Sequence, residues 1–548
     1  MSLLVDLFGY LSVIIHGLTI LAQSTALGGT LFLVFLARPL DHLPEAATIA
    51  RDTARVAGFA ACALVLCEAA VLGLQGSVLV ATVDLSWANV MGANFALASL
   101  AKAGAALLMA VLLLGRGARA PAWPLLACGL VVLAAATLTT HAAARLTMRG
   151  PLLLLEGLHQ LGAAIWIGGL PAFVMALARV HDARGWRAVG ARFSRMSMVG
   201  VACIVLSGGF MALLYVGSLP GFYGTAFGVM VSAKIAMFAG LLALGYGNFR
   251  VVAHLRADPG SSVLRMKRFA EVEIGVGFAV FFAAASLTSS PPAVDLAQDR
   301  VTWPEIVARD RPLWPRLASP DRDTLTLPAL QHKLDAEAAA QHAAPRAAFV
   351  PGSGTIPARN AGDIAWSEYN HHWSGLFVLA IGILALISQA GVRWARHWPL
   401  AFLGLAVFLF LRSDPEVWPL GSEGFFASLR DVEVLQHRFF VLLTVAFALF
   451  EWRVRAGGWR SRWAPLVFPL LTAIGGAALL THQHAIANVK EQLLIELTHT
   501  PLALAGIAAG WARWLEIRAD GRVARIAGWV WPVCFVLIGL ILLDYREA

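Results

Sequence analysis

Apolar runs of about 20 residues, each long enough to cross a bilayer, recur along almost the whole of this 548-residue chain. No water is available in hydrocarbon to satisfy backbone N–H and C=O groups, so such runs must fold as helices or close into a barrel. A barrel needs shorter strands of alternating polarity, which the uninterrupted runs do not provide. Fourteen helices are predicted, centred near residues 23, 68, 104, 132, 165, 206, 236, 280, 380, 405, 446, 472, 503 and 535. The fold class expected is an all-α polytopic membrane protein, and 59% hydrophobic against 14% charged residues leaves too little polar surface for a soluble domain.

The formal charge of +9 would suit nucleic acid if the cations clustered, but they fall in alternate loops. Arg51 and Arg55, Arg116 and Arg119, the run from Arg179 to Arg195, and Arg393 and Arg396 lie in loops of one parity. The positive-inside rule makes those loops cytoplasmic, puts both termini on the periplasmic side of a bacterial inner membrane, and gives membrane lipids rather than nucleic acid as the surroundings. The opening MSLLVDLFGY lacks a basic n-region and a cleavage site, so a retained first helix is expected. Cys62, Cys67, Cys128, Cys203 and Cys534 all fall within predicted helices without a C-x-x-C pair, and read as buried thiols.

One long interruption, residues 290–366, is rich in proline and scattered charge. It divides the chain into a membrane domain of eight helices (1–289), an extramembrane segment (290–366) and a domain of six helices (367–548). The later domain repeats elements of the first. Thr140-His141 followed by Glu156-Gly157-Leu158-His159 reappears as Thr481-His482-Gln483-His484 followed by Glu496-Leu497-Thr498-His499. Aligning these matches helices four and five with twelve and thirteen, and helix one, carrying His16, with helix nine, which opens Glu368-Tyr369-Asn370-His371-His372. The plan expected is six plus two plus six helices, the repeats parallel because an even number of spans separates them.

That topology collects nine of the fifteen histidines at one membrane face: His16, His141, His159, His371, His372, His437, His482, His484 and His499. His42, His181, His254 and His397 sit among arginines on the other side, and His332 and His342 lie in the extramembrane segment. A single histidine at a helix end often only caps carbonyls or meets headgroups. Repetition argues for more. Glu156/His159, Glu368/His371 and Glu496/His499 share the i,i+3 spacing, and Glu433/His437 the i,i+4 spacing, that puts carboxylate and imidazole on one helical face. Each pair could chelate an ion, or the carboxylate could hold the second ring N–H. Imidazole suits copper, zinc, iron and nickel, while the nearby Met91 and Met148 read as ordinary apolar residues.

Glu68 and Lys102 fall halfway across the membrane, where an unpaired charge is costly, and are expected to pair as a relay or a clamp. Lys234 lies nearer the histidine-rich face, with Glu156 as its candidate partner. Gly162, Gly168 and Gly169 after His159, like Gly506 and Gly510 after His499, read as points of close helix approach.

The stretch HQLGAAIWIGGL (159–170), then Arg192-Phe193-Ser194, Ser207-Gly208, Lys234 and Asn248-Phe249-Arg250, resembles the CopD copper-resistance family of bacterial inner-membrane proteins. The resemblance covers the first three hundred residues or so. It implies an eight-helix core that handles copper or moves it across the inner membrane, with a periplasmic CopC-type copper protein as partner. His141, His159 and Trp166 match the family's histidine-bearing segments, and His16 matches less closely. The part beyond residue 366 resembles the extension of longer family members and reads LALAGIAAG where the first repeat has W-x-G-G. No Walker lysine motif or phosphorylation loop is present, so ATP-driven pumping by this chain is not expected.

The leading expectation is therefore a copper permease, a transporter rather than an enzyme. Its metal ligands are drawn from His141, Glu156, His159, His371, His372, His437, His482, His484, Glu496 and His499. Two alternatives stand beside it. One is a membrane oxidoreductase holding haem b between histidines drawn from His16, His141, His159 and His437, since CopD-like bundles resemble HemJ-type haem proteins at the level of fold. The other is a copper receptor or assembly factor that hands the metal on.

Overall fold

In a computed structural model the described part of the chain is predominantly helical. This covers residues 8–320 except 84, 259, 260 and 299, and residues 361–547 except 430, 431, 460 and 482–488; side chains at 256, 363, 432, 433 and 489–492 are not described. Among the described residues the only β feature is an isolated bridge between Val417 and Glu423.

Among the described residues twelve helices are long and apolar enough to cross a membrane, and two shorter apolar helices occupy the remaining expected positions. Numbered together in chain order they are α1 (Phe8–Leu40), α2 (Ala46–Val83), α3 (Asn94–Arg119), α4 (Ala122–Thr137), α5 (Arg149–Arg179), α6 (Ala183–Tyr215), α7 (Ala226–Leu255), α8 (Leu264–Leu287), α9 (Ile364–Gln389), α10 (Trp394–Arg412), α11 (Val434–Arg455), α12 (Ala464–Leu479), α13 (Leu493–Arg518) and α14 (Gly521–Leu543). Leu66, Leu107, Leu213 and Leu442 are more than half exposed on these helices. Apolar side chains turned outward are what a lipid solvent accepts and water does not. The chain is a multi-pass membrane protein.

Two compact units emerge, one built from α1–α8 and the other from α9–α14 with the residues after Asp299. In the first, α1 packs chiefly on α2 and across α5, and α8 packs on α7 and α1. In the second, α9 packs chiefly on α14, and α13 lies between α12 and α14. The opening helix of each unit thus has different main neighbours, α2 and α5 for α1 but α14 for α9.

Helix starts follow local chemistry. The Asp182 carboxylate accepts from the Gly185 N–H at 2.7 Å and the buried Thr225 hydroxyl from the Gly228 N–H at 3.0 Å, satisfying orphan donors at the starts of α6 and α7. Both α1 and α5 contain a π turn, at Leu33–Ala37 and Ala164–Gly168. Each lies just before a proline, Pro39 and Pro171. The carbonyl four residues ahead of a proline cannot be used normally, and in both cases that carbonyl, of Phe35 or Ile167, falls within the widened turn.

The π turn of α5 packs against α1 at glycines. A Cβ on Gly168 would stand 1.9 Å from the Ser24 carbonyl oxygen, so only glycine permits this crossing. Gly510 serves α12 and α13 the same way, 2.5 Å from the Pro469 oxygen. The expected close helix approach at these glycines is present.

Part of the segment after residue 290 is also ordered. A helix at Trp303–Arg309 buries Ile306, and Arg309 donates to the Leu494 carbonyl at 2.7 Å.

Candidate functional site

Most of the residues expected to be functional in the first unit fall in two clusters. One surrounds a cavity of about 340 Å³ among α1, α2, α3 and α8, lined by His16, Thr19, Glu68, Gln75, Ser99 and Lys102 with apolar neighbours. Lys102 Nζ lies 2.6 Å from Glu68 Oε1, with both side chains almost fully buried. The expected pairing of these two charges is present, and His16 shares their cavity.

The second cluster spans α1, α5, α6 and α7. Gln23 Nε2 donates to Gln160 Oε1 at 3.0 Å, and Gln160 Nε2 donates to Glu156 Oε1 at 3.0 Å. His159, one residue before Gln160, turns instead toward α6, where its Nδ1 lies 3.1 Å from Ser207 Oγ. Ser207 spends its only proton on the Cys203 carbonyl at 2.5 Å. Its oxygen must therefore accept, which makes Nδ1 the protonated nitrogen and leaves the lone pair of His159 on Nε2. Gly208 completes the seat, since a Cβ there would stand 3.2 Å from His159 Cε1. Lys234 acts electrostatically on both His159 and Glu156, without a direct ion pair to Glu156 among the described residues. His141 begins a short helix, His141–Ala144, where its Nε2 is buried without a hydrogen-bond partner.

In the second unit two of the expected imidazoles meet. The rings of His371 on α9 and His499 on α13 stand edge to face with centroids 6.2 Å apart, and Tyr545 stacks on His371 at 3.8 Å. His371 Nδ1 donates to the Ser367 carbonyl at 2.8 Å and His499 Nδ1 to the Ile495 carbonyl at 3.0 Å. His372 is tied at both nitrogens. It accepts from the Arg316 N–H at 2.7 Å and donates to the Tyr545 carbonyl at 2.9 Å, so a lone pair for a metal would require breaking a bond to the backbone. His437 Nδ1 lies 2.7 Å from Asp414 Oδ1, and the Glu433 side chain falls outside the described residues. His482 and His484 likewise lie outside them.

One expectation is corrected in all three Glu-x-x-His elements, because the carboxylate does not hold its own imidazole. Glu156 takes Gln160, Glu368 takes Arg316 at 3.2 Å, and Glu496 takes the Thr500 hydroxyl at 3.2 Å. The reason lies in where the ring protons go. The carbonyl four residues back takes the ring N–H of His371 and of His499, and the serine of a neighbouring helix takes that of His159, so each imidazole proton is already used. Nor does any set of three His, Cys, Asp or Glu side chains among the described residues take the form of a metal site. The candidate haem ligands His16, His141 and His159 have different surroundings: His16 lines the cavity of the first cluster, His159 belongs to the second, and His141 opens the short helix after α4.

A buried group not foreseen lies on α8. Glu273, 2% exposed, accepts from Asn248 Nδ2 at 2.6 Å and from Trp166 Nε1 at 3.3 Å. Lys267, Arg268 and Glu271 close before it make it read as one more helix-end charge.

Comparison with known proteins falls on the helices that seat these groups. Residues 187–287, which carry Ser207, Gly208, Lys234, Asn248 and Glu273, match the family model of copper resistance protein D. Over this region the chain is similar to copper resistance protein D. A curated relative, "Copper transport protein CutJ" of Bacillus subtilis (strain 168), is 29% identical over 143 residues, a quarter of this chain and a quarter of the relative. No solved structure matches. The family match lies within the first unit, so the expected resemblance and its copper connection attach to α6–α8.

Proposed function

We propose that this chain carries copper across the membrane, and that the cluster around His159 is where the first unit takes hold of the ion. One observation carries the reading: the family-matched helix α6 offers Ser207 and Gly208 to His159, fixing the tautomer that leaves Nε2 as an electron-pair donor. Imidazole with carboxylate nearby suits copper, and a hydrogen bond to the second ring nitrogen is how ligating histidines are usually oriented. Copper is the cargo here. Glu156 attracts the cation and Lys234 opposes it, a balance that favours capture followed by release over permanent storage. Within the second unit His371 and His499 form an imidazole pair of their own, with Glu496 and His437 as further donors there, and His141 is a further donor in the first unit.

The inner membrane with both termini periplasmic is the arrangement that the arginine-bearing loops favour, and a periplasmic copper protein of CopC type is the donor that would load it.

Copper uptake into proteoliposomes tests the reading. Wild-type protein is expected to give copper flux above empty vesicles, His159→Ala to abolish most of it, and purified protein to bind copper without haem absorption. Flux no greater than that of empty vesicles overturns the proposal.

A further inference from the structure

Glu273 is a deeply buried group of the first unit that the copper reading leaves without a task. It sits in the interior of α8 with no counter-charge among the described residues. The charged groups of the helices packed around it are turned elsewhere. Arg38 of α1 reaches the Ala120 carbonyl, and Arg179 of α5 pairs with Asp52 at 2.6 Å. Arg250 of α7 turns to Tyr246 at 3.3 Å, and His254 of the same helix is exposed. On α8 itself Arg265 lies over Phe269, Lys267 over Trp186, and Arg268 pairs with Glu271. None of these charges acts on Glu273, whose neighbours are two neutral N–H donors. Beside it Asn248 Oδ1 is buried and accepts no hydrogen bond.

A structural carboxylate in such surroundings normally has a cation, as Glu68 has Lys102. One without a cation is costly to keep ionised, and binding a proton removes that cost. We infer that Glu273, cradled by Trp166 and Asn248, is a proton-binding site that loads and unloads during the protein's working cycle. The proton adds to one carboxylate oxygen and leaves from it, with no other bond made or broken. Trp166 lies on the π turn of α5, two helical turns after His159, so the donor that reads the state of Glu273 shares a helix with the imidazole of the other cluster. Any coupling of this proton to copper rests on the reading above, whereas the proton site does not.

Infrared spectroscopy of the purified full chain tests it without copper. Wild-type protein is expected to show a carboxylic-acid C=O band that shifts in D₂O, disappears as the pH is raised, and is absent from the near-isosteric Glu273→Gln. Asn248→Leu, which keeps the carboxyl but removes its short donor, is expected to move both the frequency and the midpoint of that band. Spectra of wild type and Glu273→Gln that coincide at every pH overturn the inference, as does a Glu273 band that never titrates. Either result leaves the copper flux experiment unaffected.

Discussion

His159 and Ser207 join α5 to α6 through a 3.1 Å contact between Nδ1 and Oγ, in which the serine oxygen can only accept because its proton is already given to Cys203. The consequence is chemical as well as structural, since the bond decides which ring nitrogen faces a ligand. Ser207→Ala removes this orientation while leaving the imidazole in place. Copper affinity is expected to fall about 10- to 100-fold, with a stability loss of only about 1 kcal/mol. Isothermal titration alongside thermal unfolding separates the two, and unchanged affinity would show that His159 needs no such support.

The charge balance around the same imidazole gives a prediction of opposite sign. Lys234 opposes any cation held at His159. Lys234→Met is expected to tighten copper binding by about tenfold, or ~1.4 kcal/mol, while slowing release and hence flux. Weaker binding in this variant would place the ion away from α7.

Glu68 and Lys102 are each at most 5% exposed, so losing one partner strands the other in the membrane. Lys102→Met or Glu68→Leu alone is expected to cost about 3–5 kcal/mol, and the double variant to recover most of it. Thermal unfolding in detergent provides the double-mutant cycle. Additive losses would mean that the two charges do not act as a pair.

At the crossing of α1 and α5, Gly168→Ala drives a methyl group into the Ser24 carbonyl and is expected to cost about 1–3 kcal/mol. Gly104→Ala, where a Cβ meets nothing within 4 Å, serves as the control and should leave the melting temperature unchanged or higher.

Tyr545 lies beyond the end of α14, where burial first, and then the Glu547 carboxylate to which its hydroxyl donates at 2.6 Å, push its pKa well above the usual value. Its contribution to stability is therefore present in full below about pH 10, the ordinary tyrosine value, and is lost as pH rises through the higher folded value. Wild type and Tyr545→Phe should give the same phenolate absorbance at pH 10 while folded. A deficit in the variant would show that the hydroxyl ionises normally.

Much of the architecture was legible in the residues themselves. Positions of the apolar helices, the Glu68–Lys102 pair and the close-approach glycines could be read because hydrophobic length, buried charge and a missing Cβ act at the level of single elements. Copper as the theme was legible from short motifs around Trp166, Ser207 and Asn248. The partners of the histidines were not legible. Spacing places Glu156 and His159 on one face, yet the imidazole goes to Ser207, 48 residues away, and the carboxylate goes to Gln160.

What the sequence determined by itself was that these segments must be membrane helices, because hydrocarbon permits no other use of so many apolar residues in unbroken runs. Only the tertiary structure decided that His159 meets Ser207, that His371 meets His499, and that Glu273 meets Trp166 and Asn248. Those meetings depend on how each helix is rotated about its axis and where glycines let two backbones close up, which no periodicity within a single helix encodes.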